Sequence, residues 1–276
     1  YEITYGDWSS DVCSSDLVHR FHHHHFDLLS LPMNLQFNRR RALASLIAIG
    51  TVLISPNVSA GGFTIMPIRL ELSEQRRVGS FTIRNDADSP VTIDVRSVLW
   101  TQGDAGDEYT PTRDIILTPM IFSLAPRSSQ VVRVGLRRDP HPYQEQSYRI
   151  FLTEIPAATE KPLSGVAMTL RLSVPLFLKP SNDARPDLQW ALRRDDSGGL
   201  RLTARNMGNA HVQLANLQLK QGSSVVARQP SPAYLLPGRH HDWPLQLEDG
   251  AILDRQSLML EGYSDAGELR AEIALP

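Results

Sequence analysis

The chain has 276 residues, 41% of them hydrophobic and 21% charged, with a formal net charge of −2. That composition is globular rather than disordered, and the length allows one or two domains. The near-neutral balance argues against a nucleic-acid-binding surface, which needs a clear basic excess.

Residues 1–32 hold a Ser/Asp-rich stretch and the run His22-His23-His24-His25, without sustained periodicity. They read as upstream read-through or cloning sequence, with a tag-like, solvated histidine run rather than a metal site. A second start follows at Met33, then Arg39-Arg40-Arg41, the apolar run Ala42–Ile54 and Val58-Ser59-Ala60. A basic segment, a short apolar segment and a small-x-small site make a secretory signal peptide over 33–60, cleaved after Ala60. The apolar run is shorter than the roughly 20 residues of a membrane-spanning helix. Cys13 is the one cysteine and lies upstream of that site, so the exported part must fold without disulfides.

From there the chain reads as short strands in order. Phe63–Leu72 alternates as a strand, and Val78–Arg84 follows, ending at the turn formers Asn85–Pro90. Val91–Trp100 places Val91, Ile93, Val95 and Val98 inward, and the polar, glycine-bearing Gln102–Thr112 reads as a loop. Ile115–Ser123, Gln130–Leu136 and Tyr148–Ile155 are further strands, and Ala157–Gly165 is a polar loop. In Val166–Pro180, the residues Val166, Met168, Leu170, Leu172 and Val174 alternate with Ala167, Thr169, Arg171 and Ser173. Period 2 makes one face of this strand apolar. Two readings stay open on pattern alone: a half-buried sandwich strand, or a strand whose apolar row is offered to another protein.

Ser181–Pro186 reads as a hinge between residues 61–180 and 187–276. Leu188–Leu192, Leu200–Arg205, Val212–Leu219, Ser224–Ala227, His241–Leu247 and Leu258–Tyr263 then form a second, smaller β unit. Strands at roughly 10–15-residue intervals with turn signals between them predict an all-β fold of two antiparallel sandwiches.

The search for chemistry is negative. No G-x-S-x-G, glycine-rich phosphate loop or H-E-x-x-H occurs, and the exported part has no cysteine. His240 and His241 would point to opposite faces of a strand, so His240-His241-Asp242 reads as a solvated turn rather than a metal site. His211 reads as a structural loop residue. No enzyme, metal or cofactor is implied.

Several ordered pieces resemble the periplasmic pilus chaperones, the PapD-like family. They are Pro67-Ile-Arg-Leu70, Arg84-Asn85 with Ser89-Pro90-Val91, Thr118–Pro126 with Gln130–Val134, Tyr148–Pro156 and Leu176-Phe-Leu-Lys-Pro180. Asn206-x-Gly-Asn-x-His211, without a second-domain disulfide, is similar to the branch whose subunits resemble spore coat protein U. The resemblance implies two immunoglobulin-like sandwiches set at an angle around a cleft. It implies a non-enzymatic chaperone that caps pilin or fimbrial subunits by donating a strand and delivers them to an outer-membrane usher. Val166, Met168 and Leu170 match the donor positions, with Leu172 a further one.

By the same resemblance, Arg69 matches one of two basic residues that clamp the subunit's terminal carboxylate. Pro175 stands where the classical branch carries the second, a lysine. Either Arg171 or another base substitutes, or Arg69 acts with backbone donors. Glu145, Lys179 and Asp265 match an ion network between the domains. The competing reading is a secreted adhesin or carbohydrate-binding sandwich, which would present aromatic platforms; a periplasmic hydrolase would need the absent motifs.

Overall fold

The structure is a computed structural model that describes residues 62–156, 169–196, 198–248, 250 and 258–274. The expected leader, signal peptide, Val166 and Met168 lie outside the described residues. Every regular element among those described is a strand.

The first sandwich contains β1 (Phe63–Met66), β2 (Leu70–Leu72), β3 (Val78–Asn85), β4 (Val91–Gly103) and β5 (Gly106–Pro111). It continues with β6 (Ile115–Thr118), β7 (Ile121–Leu124), β8 (Ser129–Leu136), β9 (Gln146–Ile155) and β10 (Arg171–Leu178). One sheet runs β1-β3-β8-β6 and the facing one β2-β10-β9-β4-β5, with β7 also on β4. Phe81, Ile83, Val132 and Val134 from the first meet Ile93, Val95, Tyr148, Ile150, Val174 and Leu176 from the second, all nearly or fully buried.

The second sandwich contains β11 (Leu188–Arg194), β12 (Leu200–Asn206), β13 (Val212–Gln221), β14 (Ser224–Gln229) and β15 (Ala233–Leu235). β16 (His240–Pro244), β17 (Gln246–Leu247), β18 (Leu258–Ser264) and β19 (Gly267–Ile273) complete it. The sheet β11-β12-β16 faces β17-β14-β13-β18-β19, and β15 adds to β13.

Two expected strands are each cut in two by a proline. Phe63–Leu72 becomes β1 on β3 and β2 on β10, with Pro67 between them. Ile115–Ser123 becomes β6 on β8 and β7 on β4, parted at Pro119. A proline cannot donate to the ladder, so the chain leaves one sheet there and joins the other. The expected loop Gln102–Thr112 is the end of β4 and the exposed edge strand β5, turned at Gly106, whose φ of 116° suits glycine. Its outward residues are polar, so the apolar alternation that marks a strand was missing. Along β4, Leu99 rather than Val98 joins Val91, Ile93 and Val95 at the core, because odd-numbered residues share that face. β19 also escaped the sequence reading, although Leu269, Ala271 and Ile273 alternate there toward the core.

Residues 181–186, expected as a hinge, are bonded to the turn that follows β12. Asn209 donates to the carbonyls of Tyr143 and Asp183, and its side-chain oxygen accepts from Arg185 N. Gly208 permits the approach: a Cβ there would sit 2.3 Å from Arg185 O and 2.6 Å from Asp187 N.

Candidate functional site

Strand parity selects the residues of the site. In the β2-β10-β9-β4-β5 sheet, Leu70, Leu72, Leu176, Ile150 and Val95 face the first sandwich's core. Their neighbours in sequence therefore face outward: Arg69 and Glu71 at β2, Pro175 and Phe177 on β10, Arg149 on β9, Trp100 and Gln102 on β4. Part of this outer face is covered by the second sandwich. Trp100, Phe177 and Leu236 form a small buried cluster with Tyr234 against it. Gln102 donates to Tyr234 O at 2.9 Å and accepts from Leu236 N at 2.9 Å. The His211 ring stacks on Phe177 with centroids 3.4 Å apart and planes 5° from parallel.

Glu145, Lys179 and Asp265 do not touch one another, yet a chain of charged groups joins all three. Lys179 Nζ meets Glu71 Oε2 at 2.5 Å, and Glu71 Oε1 meets Arg69 Nη2 at 3.4 Å. Arg69 Nη1 donates to Asp265 Oδ2 at 3.0 Å, which lies 3.5 Å from His211 Nε2. His211 closes the chain at Glu145, whose Oε1 is 2.7 Å from Nδ1 and accepts from His211 N at 3.0 Å. Glu145 is 4% exposed, so these bonds meet a carboxylate that water does not. His211 is thus a link between the sandwiches, a role its surroundings in sequence did not announce.

Burial works to raise the Glu71 carboxyl, but the hydrogen bond and charge of Lys179, with the charge of Arg69, outweigh it and hold the group below its ordinary value of 4.5. A depressed carboxyl stabilises the fold above the unfolded value, and the contribution is lost as pH falls through the folded one. Glu71→Gln is therefore expected to lower the urea midpoint at pH 7. The difference from the unaltered protein should shrink on titration below about pH 4. A difference that stays constant with pH would show that Glu71 acts by packing alone.

Arg171, the base named from sequence, and Arg149, which sequence did not single out, differ in setting. Arg171 lies over the Phe151 ring at 3.8 Å. β10 pairs Leu176 with Leu70 in parallel, which sets Pro175 level with Arg69, so Arg171 sits four residues away along the strand, about 13 Å at 3.3 Å per residue. Arg149 is paired with Pro175, the position that the resemblance matches to a lysine. Its guanidinium lies 3.7 Å from the Trp100 ring centroid and 5.4 Å from that of Tyr234. The side chain is 14% exposed, and its nearest carboxylate oxygen, on Asp107, is 4.0 Å away. Its Nε has no hydrogen-bond partner among the described residues. Burial pushes the Tyr234 hydroxyl above its usual value, while the charges of Arg69 and Arg149 act against that. A cavity of about 350 Å³ lined by Trp100, Gln102, Asp107, Arg149, Tyr234 and His241 opens beside these groups. The sequence signal for Arg149 was a charge inside the apolar run Tyr148–Leu152, and for Glu71 its i+2 spacing from Arg69.

The edge of β10 completes the site. β9 pairs with Arg171–Leu178, but β2 covers only Leu176–Leu178 on the other side. Leu170 O accepts from Glu154 N on the β9 side, and Lys179 N donates to Leu72 O on the β2 side. Backbone groups alternate sides along a strand, so Arg171 and Ser173 turn theirs to an edge left open by every strand among the described residues. Pro175 falls on that same edge, where its missing N–H breaks no bond to β9. Leu170 is 40% exposed, whereas Leu172 packs partly buried against the first sandwich's own core.

His240, His241 and Asp242 lie on β16 rather than in a turn. The Asp242 carboxylate accepts from Thr203 at 2.8 Å and from Arg201 at 3.0 Å. No grouping of three potential metal ligands occurs among the described residues.

Residues 62–183 match the family described as pili and flagellar-assembly chaperone, PapD N-terminal domain. Residues 62–183 are a domain of the PapD N-terminal type. No curated protein sequence matches the chain. Among solved structures it is similar to a chain of the CsuC–CsuE chaperone–tip adhesion subunit pre-assembly complex from Csu pili of Acinetobacter baumannii. The two are 20% identical with a TM-score of 0.59, covering 78% of this chain and 99% of that one. The E. coli chaperone DraB is 19% identical with a TM-score of 0.53, covering 77% and 97%. The complex of Salmonella enterica SafA pilin with the SafB chaperone includes a chain 12% identical, with a TM-score of 0.53, covering 78% and 96%. These likenesses extend the shared fold beyond the PapD-type domain to the second sandwich.

Proposed function

We propose that the protein is a non-enzymatic periplasmic chaperone that holds pilin-type subunits and presents them to an outer-membrane usher. The observation that carries this reading is the open edge of β10 at Arg171–Pro175, continuous in sequence with the row Val166, Met168 and Leu170. A subunit lacking one strand exposes an apolar groove and two unpaired strand edges, a template for aggregation. The β10 edge offers main-chain hydrogen bonds, each worth a net ~0.5–1.5 kcal/mol. The apolar row fills the groove. The subunit's terminal carboxylate is held by Arg69 and by Arg149, which stands in for the missing lysine at Pro175. The cavity beside Arg149 gives that terminus room.

An exported signal peptide over 33–60 and a division near residues 181–186 belong to the same reading. A glycan-binding sandwich fits less well, because Trp100 and Phe177 are buried under the second sandwich instead of forming an exposed platform.

Co-expression with a pilin-type subunit tests the anchor. Arg69→Ala and Arg149→Ala each are expected to cut recovery of the complex about tenfold or more, since a hydrogen bond to a charged group is worth about 1.5–3 kcal/mol. Arg149→Lys should recover only part of the loss, because an ammonium cannot reproduce a planar cation stacked on Trp100. Unchanged yields for both alanine variants would remove the carboxylate clamp from the proposal.

A further inference from the structure

We infer that Asp265 is an internal stand-in for the subunit carboxylate: it occupies Arg69 while the protein is empty and gives way when a subunit's terminus arrives. This rests on the proposed anchoring role of Arg69. Asp265 lies in the turn between β18 and β19, 196 residues from Arg69, yet its Oδ2 accepts from Arg69 Nη1 at 3.0 Å. A carboxylate of the protein's own second sandwich therefore makes the contact that an incoming carboxylate would make.

The surrounding groups make the exchange feasible. Asp265 Oδ1 is held by Gln213 N at 3.2 Å, and Oδ2 lies 3.5 Å from His211 Nε2. Surrendering Arg69 thus leaves Asp265 with the Gln213 N–H on Oδ1 and with Oδ2 facing the His211 ring. Glu71 competes less, because it already has Lys179 at 2.5 Å and meets Arg69 only at 3.4 Å. Arg69 and Lys179 are balanced by Glu71 and Asp265, so the empty site presents no net positive charge from this group of four. An anion that takes the Nη1 side of Arg69 does so by displacing Asp265, the carboxylate hydrogen-bonded there. The side chains of Arg69 and Asp265 are 32% and 23% exposed, so an entering group can reach the pair. Loading then replaces a contact between the sandwiches with one to the subunit.

The test uses the full chain labelled with 15N-arginine. N-acetylglycine serves as a minimal C-terminal carboxylate and N-acetylglycinamide as its uncharged control. The Arg69 Nε–Hε resonance, assigned by its loss in Arg69→Ala, reports occupancy. Asp265→Asn keeps an acceptor for Gln213 N–H while removing the competing charge. It is expected to lower the N-acetylglycine midpoint by about two- to fivefold, the scale of a part-exposed ion pair. The amide should give no response in either protein. Asp265→Ser takes its place if the asparagine variant does not fold. An equal or higher midpoint in the variant overturns the stand-in role, while the loss of subunit from Arg69→Ala would still support the anchor. No carboxylate response in either protein, together with normal subunit yield from Arg69→Ala, overturns both.

Discussion

Replacing Met168 and Leu170 together with aspartate is expected to abolish recovery of a pilin-type subunit while leaving the protein folded. Both residues belong to the alternating row that precedes β10. Leu170 is 40% exposed in the free protein, so its removal takes little from the first sandwich's own core. In a complex each would enter an apolar groove, and burying a large apolar side chain is worth about 1.5–3 kcal/mol. Losing two such contacts costs about 3–6 kcal/mol, a hundredfold or more in affinity, before the added penalty of burying charge. The measurement is co-purification yield beside a thermal melt of the variant. Wild-type recovery from a folded double variant would place subunit binding elsewhere. Leu172→Asp should behave differently: because Leu172 packs on the protein's own core, it is expected to lower the melting temperature as well.

The second large effect concerns two buried asparagines at equivalent corners. Asn85 ends β3 and Asn206 ends β12, and both are 0% exposed. Asn85 Nδ2 donates to Ser89 O at 2.8 Å and Ala125 O at 3.2 Å, while Oδ1 accepts from Ala87 N at 3.0 Å. Asn206 Nδ2 donates to Ala210 O at 2.7 Å and Leu235 O at 3.2 Å. Its Oδ1 accepts from Gly208 N at 3.0 Å and Asp187 N at 3.1 Å. Each side chain thus satisfies backbone groups of turns and strand ends. Alanine at either position orphans several of them at about 1–3 kcal/mol per buried group, partly relieved by water. Each variant is expected to lose about 2–5 kcal/mol, a fall of roughly 5–15 °C in melting temperature. Asn206→Ala should in addition loosen the connection at Asp187, read out as faster amide exchange at Asp187 and Gly208. Melting within about 2 °C of the unaltered protein would mean the corners are held by other contacts.

The sandwich class was readable from sequence because its signal is local. Alternation in Tyr148–Leu152 and in Leu172–Leu178 assigns each side chain to a face without reference to any other part of the chain. The expected strands failed where another residue type overrode alternation, at Pro67 and Pro119, and where a polar edge strand had no apolar row, at β5. The candidate site was visible in part: Arg69, Glu145, Lys179 and Asp265 came from resemblance, whereas Arg149, Glu71, His211 and Tyr234 carried no signal strong enough to join them.

Sequence by itself therefore settled the all-β character and the apolar row before β10, since both follow from neighbours two residues apart. Tertiary structure alone decided that Arg149 stands opposite Pro175, that Arg69 meets Asp265, and that His211 ties Glu145 to the chain of charges. Those contacts depend on register between strands and on the seating of one sandwich against the other. Neither is encoded in local periodicity, because residues nearly 200 positions apart meet only after both cores have formed.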